Sequence, residues 1–177
     1  MNQELLLANL RNIPDFPIPG IQFKDVSTLF KNPACIKEMA DEMEEYYKSK
    51  GITKVVGIES RGFVMGAILA DRLDAGFVMC RKPGKLPGET KQQAYGKEYG
   101  KDIIEIHTDA LDENDVVLIQ DDLLATGGSA KAAIDLVKAF NVKKIYCNFI
   151  IELRCEGLKG REFIGDAAEI YSLLTID

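Results

Sequence analysis

Histidine is almost missing from this chain: His107 is the only one in 177 residues. A metal site built on a histidine pair and a histidine-based charge relay are therefore excluded. A lone histidine on an alternating stretch reads as structural. Cysteine is sparse, and Cys35, Cys80, Cys147 and Cys155 are scattered without a CxxC pair. That pattern reads as isolated thiols in a reducing cytosol, and Cys155 has no histidine partner that would make it a nucleophile. Basic charge is in deficit, with 22 Lys and Arg against 28 Asp and Glu, a net charge of -6. A broad nucleic-acid footprint, which needs a basic face, is not expected. No apolar run approaches the length of a membrane span. The N-terminal MNQELLLANLRNIPDF lacks the basic start and cleavage site of a signal peptide. A cytoplasmic protein with neither membrane nor nucleic acid as partner is expected. Internal repeats, low-complexity tracts, the GxxxxGK[ST] loop and the GxGxxG fingerprint are all missing too.

What is there is a single domain's worth of sequence, 1–177, with room for a real core. Gln3 to Arg11 predicts a short helix, and IPDFPIPG (Ile13 to Gly20) a stiff connector. Pro33 to Lys50 is amphipathic, with Ile36, Met39, Ala40, Met43 and Tyr47 near one face. From Lys54 on, short apolar strands alternate with helices. Strands are expected at Lys54 to Ile58, Ala75 to Cys80, Asp102 to His107, Asp115 to Gln120, Lys143 to Ile151 and Ala168 to Leu174. Helices are expected at Arg61 to Leu73 and Gly127 to Phe140. Lys82 to Gly100, rich in Gly, Lys and Pro, reads as an exposed loop. This alternation predicts an α/β fold, a mostly parallel sheet with helices on both faces, whose ligands bind at the carboxyl ends of the strands. Three loops would share that edge, after Ile58, after Cys80 and after Gln120.

The stretch VVLIQDDLLATGGSA (Val116 to Ala130) carries the densest chemistry. A helix starting near Gly127 or Gly128 leaves its first amides unpaired. The two glycines admit a ligand close to the backbone, and the Thr126 and Ser129 hydroxyls add donors, making a cradle for one phosphate. Asp121 and Asp122 would meet a different part of the same ligand, accepting hydrogen bonds from two sugar hydroxyls. An ordinary capped strand-to-helix turn would explain Gly-Gly alone, but not two acids followed by T-G-G-S. GIESRGF (Gly57 to Phe63) ends a second strand, and Ser60 and Arg61 make a second anion site, Arg61 being a bidentate donor. Arg81, Lys82 and Lys85 bring positive charge to the third loop. Gly84, Pro87 and Gly88 make hinges plausible there, and Tyr95 and Tyr99 stand ready to cover a ligand.

DDLLATGGS closely resembles the phosphoribosyl-pyrophosphate motif of the type I phosphoribosyltransferases. The resemblance runs from about Ile13 to Leu174 and implies that family's fold: a central sheet, a small N-terminal hood at about 1–33 and a flexible lid at about 82–100. It implies that Asp121 and Asp122 hold ribose, and that Ala125, Thr126, Gly127, Gly128 and Ser129 hold the 5-phosphate. Ser60, Arg61, Lys82 and Lys85 would meet pyrophosphate, with a cis peptide at Glu59–Ser60. RKPGKLPG with the downstream EYG is similar to the lid of the adenine-using members, where Glu98 would be the acid/base facing the purine and Tyr99 its neighbour. The hood would read the adenine edge through the backbone of Gln22, Phe23 and Lys24, with Phe23 on one face of the base and Leu153 on the other. Gln120 and Gln22 stand where the family has apolar residues, and Lys24 where it often has Arg. The implied reaction joins adenine to phosphoribosyl pyrophosphate, giving AMP and pyrophosphate, with Mg²⁺ as cofactor and a homodimer as the assembly. No direct protein ligand to Mg²⁺ is expected. The metal would be held mainly by pyrophosphate and ribose, with Asp121 and Asp122 nearby. Two alternatives remain: a related 6-oxopurine transferase, and a non-catalytic regulator that kept the phosphoribosyl-pyrophosphate site.

Overall fold

The computed structural model describes residues 1–96, 102–155 and 157–177. The chain opens with α1 (Gln3–Asn9), the ribbon strands β1 (Arg11–Pro14) and β2 (Gln22–Asp25), and the short α2 (Ser27–Phe30). Arg11, Ile13 and Pro14 are therefore strand residues, not helix or connector. Backbone pairing of Arg11 with Asp25, closed by their ion pair, extends the chain there. In α3 (Pro33–Tyr47) the Asn32 side chain accepts from the Ala34 amide at 3.0 Å and Pro33 takes the first turn.

β3 (Lys54–Ile58), α4 (Gly62–Arg72) and β4 (Gly76–Cys80) follow, then β5 (Thr90–Tyr95) and β6 (Asp102–His107). β7 (Val116–Leu124), α5 (Gly128–Lys138), β8 (Lys144–Leu153), α6 (Gly160–Ile164) and β9 (Glu169–Ile176) complete the order, with one 3₁₀ turn at Gly165–Ala167. The main sheet has the order β4-β3-β7-β8-β9, and every pair in it is parallel. Its central strands are apolar on both sides because both faces are covered. One face packs Met39, Met43, Met65 and Leu69 of α3 and α4 against Leu118 and Ile150. The other packs Ala133, Ile134 and Val137 of α5, with Ile104 and Ile106 of β6, against Ile119 and Phe149. Burying each large aliphatic side chain contributes about 1.5–3 kcal/mol.

Two expectations change. The stretch expected as one exposed loop contains β5, paired antiparallel with β6 from Thr90↔His107 to Tyr95↔Asp102. The polar sequence TKQQAY hid it, because its partner is another strand of the ribbon and not the apolar sheet. The strand expected to stop at Gln120 runs on to Leu124, pairing with β8 as far as Leu124↔Glu152. The two carboxylates thus sit on a strand, held by its ladder, and not on a loop.

Gln120 shows how a polar residue is accommodated in that strand. It is fully buried; its Nε2 donates to the Asp121 carbonyl at 2.7 Å and its Oε1 accepts from Asn148 Nδ2 at 2.7 Å. Asn148 Oδ1 is the one buried side-chain polar atom without a partner among the described residues. Removing one member of such a pair orphans the other, whereas replacing both by apolar groups of similar shape is close to neutral. Gln120→Met is accordingly expected to cost about 1–3 kcal/mol. Gln120→Met with Asn148→Leu should recover most of that loss, as read by urea denaturation of the single and double variants.

Candidate active site

β3, β4 and β7 are neighbours in the sheet, so the loops after them meet at one edge. There they enclose a cavity of about 330 Å³ lined by Ser60, Arg61, Lys82, Tyr95, Asp121, Asp122 and Ser129, among others. A second hollow continues it past Ala125, Thr126 and Gly127 and shares Arg61, Asp121, Asp122 and Ser129. The sheet order therefore brings together most of the residues singled out in three separate stretches of sequence.

The phosphate end is built by backbone. Gly127 has φ +83°, a conformation that side-chain-bearing residues rarely adopt, and α5 begins at the next residue. A Cβ on Gly127 would also lie 2.8 Å from the carbonyl oxygen of Gly160 and 2.9 Å from its Cα. Gly160, the first residue of α6, thus braces the turn from behind. The sequence pattern does not reveal this role of Gly160, since its cause is a contact between distant segments. Gly62 opens α4 against the Gln120 carbonyl, so close that a Cβ would collide with it. That approach carries Arg61 to the carboxylates.

Arg61 Nε donates to Asp122 Oδ2 at 2.5 Å, and Asp122 is nearly buried. The Arg61 guanidinium also lies 5.7 Å from the centre of the Phe23 ring. Arg61 therefore links the β1–β2 ribbon to the carboxylate pair. Asp121 Oδ1 accepts from the Asp122 amide at 2.9 Å. Burial first, and the Asp122 charge second, push the Asp121 carboxyl well above its ordinary 3.8. Cys80 also lines the cavity, but burial pushes its thiol up to about 12, which keeps it neutral and unreactive.

The peptide Glu59–Ser60 is cis. The sequence reading gives Glu59 a place in the cis peptide but no side-chain role, yet its carboxylate accepts from Arg81 Nε at 3.2 Å, Arg81 Nη2 at 3.1 Å and the Lys82 amide at 2.9 Å. It ties the loop after β3 to the loop after β4. An acid at the tip of an apolar strand, just before Ser-Arg-Gly, was the signal available.

The other expected residues that the structure describes are not on the cavity wall. Gln22, Phe23 and Lys24 form β2, where Asn12 of β1 donates to Gln22 Oε1 at 2.7 Å and accepts from Lys24 Nζ at 3.0 Å. Leu153 ends β8 and lines a neighbouring depression with Cys155 and Gly160. Gly128 opens α5 near the Tyr95 ring. Lys85 sits in the turn after β4 but not on the cavity wall, its carbonyl accepting from Arg81 Nη1 at 3.0 Å. Glu98 and Tyr99 lie outside the described residues. His107 makes a 2.7 Å hydrogen bond to the Pro87 carbonyl, away from the cavity.

Glu152, beneath this edge, is 2% exposed and is held by Arg161 Nε and Nη2 at 2.9 and 2.5 Å, with Ser172 and Arg154 also donating. These bonds, Arg161's first, lower its carboxyl from 4.5 to about 2. Arg161 follows Gly160, so the pair also pins the brace behind the phosphate turn. A lowered carboxylate stabilises fully above its unfolded value of 4.5 and loses that contribution as pH falls toward 2. Glu152→Gln should therefore lower neutral-pH stability by on the order of 3 kcal/mol. The gap to the parent should close between pH 4.5 and about 2, in denaturant titrations run across that range.

The model of the phosphoribosyl transferase domain family matches residues 25–163. The adenine phosphoribosyltransferase of Bacteroides thetaiotaomicron is 61% identical over 176 residues, covering 99% of each chain. The chain belongs to the adenine phosphoribosyltransferases. Among solved structures of the family, the Giardia lamblia enzyme complexed with 9-deazaadenine has a TM-score of 0.92 at 43% identity, covering 100% of this chain and 99% of that one. The Rhodothermus marinus enzyme has a TM-score of 0.89 at 46% identity, covering 98% and 97%. The family's parallel sheet flanked by helices is thus the fold described above. Among the described residues no helix is long and apolar enough to cross a membrane.

Proposed function

We propose that this chain makes AMP and pyrophosphate from adenine and phosphoribosyl pyrophosphate, using the cavity at the ends of β3, β4 and β7. The observation that carries this is the convergence, at one edge, of a helix-start cradle, a carboxylate pair and an arginine. The amides and hydroxyls at Thr126 to Ser129 hold the 5-phosphate, and its binding energy fixes the position of ribose C1. Asp121 and Asp122 accept from the ribose hydroxyls. As the C1–O bond to pyrophosphate loosens, positive charge grows on the sugar and negative charge on the leaving group. Arg61 and Lys82 face that negative charge.

The base lies under the hood formed by the β1–β2 ribbon, with Phe23 and Leu153 on its faces and Gln22 to Lys24 along its edge. Glu98 exchanges the purine proton. The 5.7 Å separation of the Arg61 guanidinium from the Phe23 ring centre supports this, since it brings the ribbon to the cavity's rim. Two adjacent carboxylates beside a polyphosphate suit Mg²⁺, a hard cation that prefers oxygen ligands and keeps several waters. Asp121 and Asp122 would be its nearest protein groups, and when bound it neutralises charge on pyrophosphate. The working form is a cytoplasmic homodimer.

Nucleotide formation from phosphoribosyl pyrophosphate with Mg²⁺ and, separately, adenine, hypoxanthine, guanine and xanthine tests the proposal. AMP from adenine alone is expected. Product from a 6-oxopurine would overturn the base assignment. Binding of phosphoribosyl pyrophosphate with no product from any base would leave a regulator.

A further inference from the structure

Glu105 stands at the middle of β6 and is 2% exposed, a charged side chain among the apolar residues Ile104 and Ile106. A carboxylate is retained in such a place only with partners. Here Oε1 accepts from the Gly84 amide at 3.0 Å, and Oε2 accepts from Thr90 Oγ1 at 3.1 Å and Gln92 Nε2 at 2.9 Å. Burial alone would raise this carboxyl, but these hydrogen bonds outweigh it and hold it below the ordinary range. Its backbone pairs with Arg81 in both directions, at 2.9 and 2.8 Å.

One of these donors, the Gly84 amide, belongs to the turn at residues 82–86. Glu105 holds that turn from one side. From the other side Arg81 closes it through the Lys85 carbonyl, while Glu59 holds the Lys82 amide. The turn is thus fixed between two carboxylates, one inside the fold and one on the cavity wall. Thr90 and Gln92 tie the inner carboxylate to β5 at the same time.

We propose that Glu105 is a positioning residue for the pyrophosphate end of the substrate, its carboxylate shaping the 82–86 turn so that Lys82 faces the leaving group. The inference rests on the phosphoribosyl-pyrophosphate reading of the cavity. A carboxamide in place of the carboxylate keeps one acceptor and turns an NH₂ toward donors, so Glu105→Gln should loosen the turn while the sheet survives.

The test is steady-state kinetics with calorimetric binding of pyrophosphate, for the full chain and for Glu105→Gln, Glu105→Asp and Lys82→Ala. In Glu105→Gln, KM for phosphoribosyl pyrophosphate and Kd for pyrophosphate should rise by roughly tenfold, the loss of one hydrogen bond to a charged group. KM for adenine should stay put, and Glu105→Asp should recover part of the loss. A purely structural role would not separate the two substrates. If Glu105→Gln folds and keeps the parental KM while Lys82→Ala raises it, Glu105 has no such role and the cavity reading stands. Failure of the parent chain to bind pyrophosphate at all would overturn both. If Glu105→Gln does not fold, Thr90→Val removes a single donor. A rise of roughly threefold in KM for phosphoribosyl pyrophosphate alone then supports the proposal, and an unchanged KM overturns it.

Discussion

Gly127→Ala is expected to lower kcat/KM for phosphoribosyl pyrophosphate by roughly 100-fold or more, through loss of about two charge-assisted hydrogen bonds to the 5-phosphate. Two independent obstacles act at this position. The φ of +83° disfavours any side chain, and the new methyl would meet Gly160 backbone at 2.8–2.9 Å. Backbone cannot yield as a flexible side chain does, so either the turn or the start of α6 must move. Moving the turn swings the first amides of α5 off the phosphate. Moving α6 disturbs the Arg161–Glu152 pair and lowers stability. Initial-rate kinetics with thermal melts separates the two. The site account requires a large rise in KM for phosphoribosyl pyrophosphate, and unchanged kinetics would contradict it.

Arg61→Ala should reduce kcat by roughly 100- to 1,000-fold, the range for removing a preorganised donor from developing negative charge. Arg61→Lys should recover little, because an ammonium lacks the planar fork of donors that can serve Asp122 and an anion together, and the delocalised cation that lies 5.7 Å from the Phe23 ring centre. A second consequence is separable from catalysis. Arg61 is the cation facing Asp122 in the ligand-free protein. Without it the Asp121 carboxyl, which the Arg61 charge pulls down, is pushed higher still. An acid whose folded pKa lies above its unfolded value costs stability as pH rises past the unfolded value. The stability gap between Arg61→Ala and the parent should therefore widen from pH 4 to pH 7, as read by denaturant midpoints. A gap that narrows over that range would show that the ion pair does not set the local charge balance.

The parallel sheet and the phosphate turn were legible because both depend on local pattern. Val55 to Ile58 and Val117 to Ile119 are short apolar runs bounded by turn residues, and Gly127-Gly128 before an alanine-rich segment marks a helix start. β5 was not legible. Its residues are polar, and two of them, Thr90 and Gln92, face a buried glutamate whose position sequence alone does not reveal. The side-chain roles of Glu59 and Glu105 and the packing role of Gly160 are not legible for the same reason: each depends on a partner at least 13 residues away, as in the Gln92–Glu105 bond. Gln120 is legible as a polar residue in an apolar run, and its partner is Asn148 on the adjacent strand.

The measurement that bears most directly on this account is a crystal structure of the chain with Mg²⁺, phosphoribosyl pyrophosphate and a non-reacting adenine analogue. The 5-phosphate is predicted on the amides of Thr126 to Ser129, the ribose hydroxyls on Asp121 and Asp122, pyrophosphate between Arg61 and Lys82, and the base against Phe23. A phosphate seated elsewhere, or ribose turned away from the two carboxylates, would contradict the account.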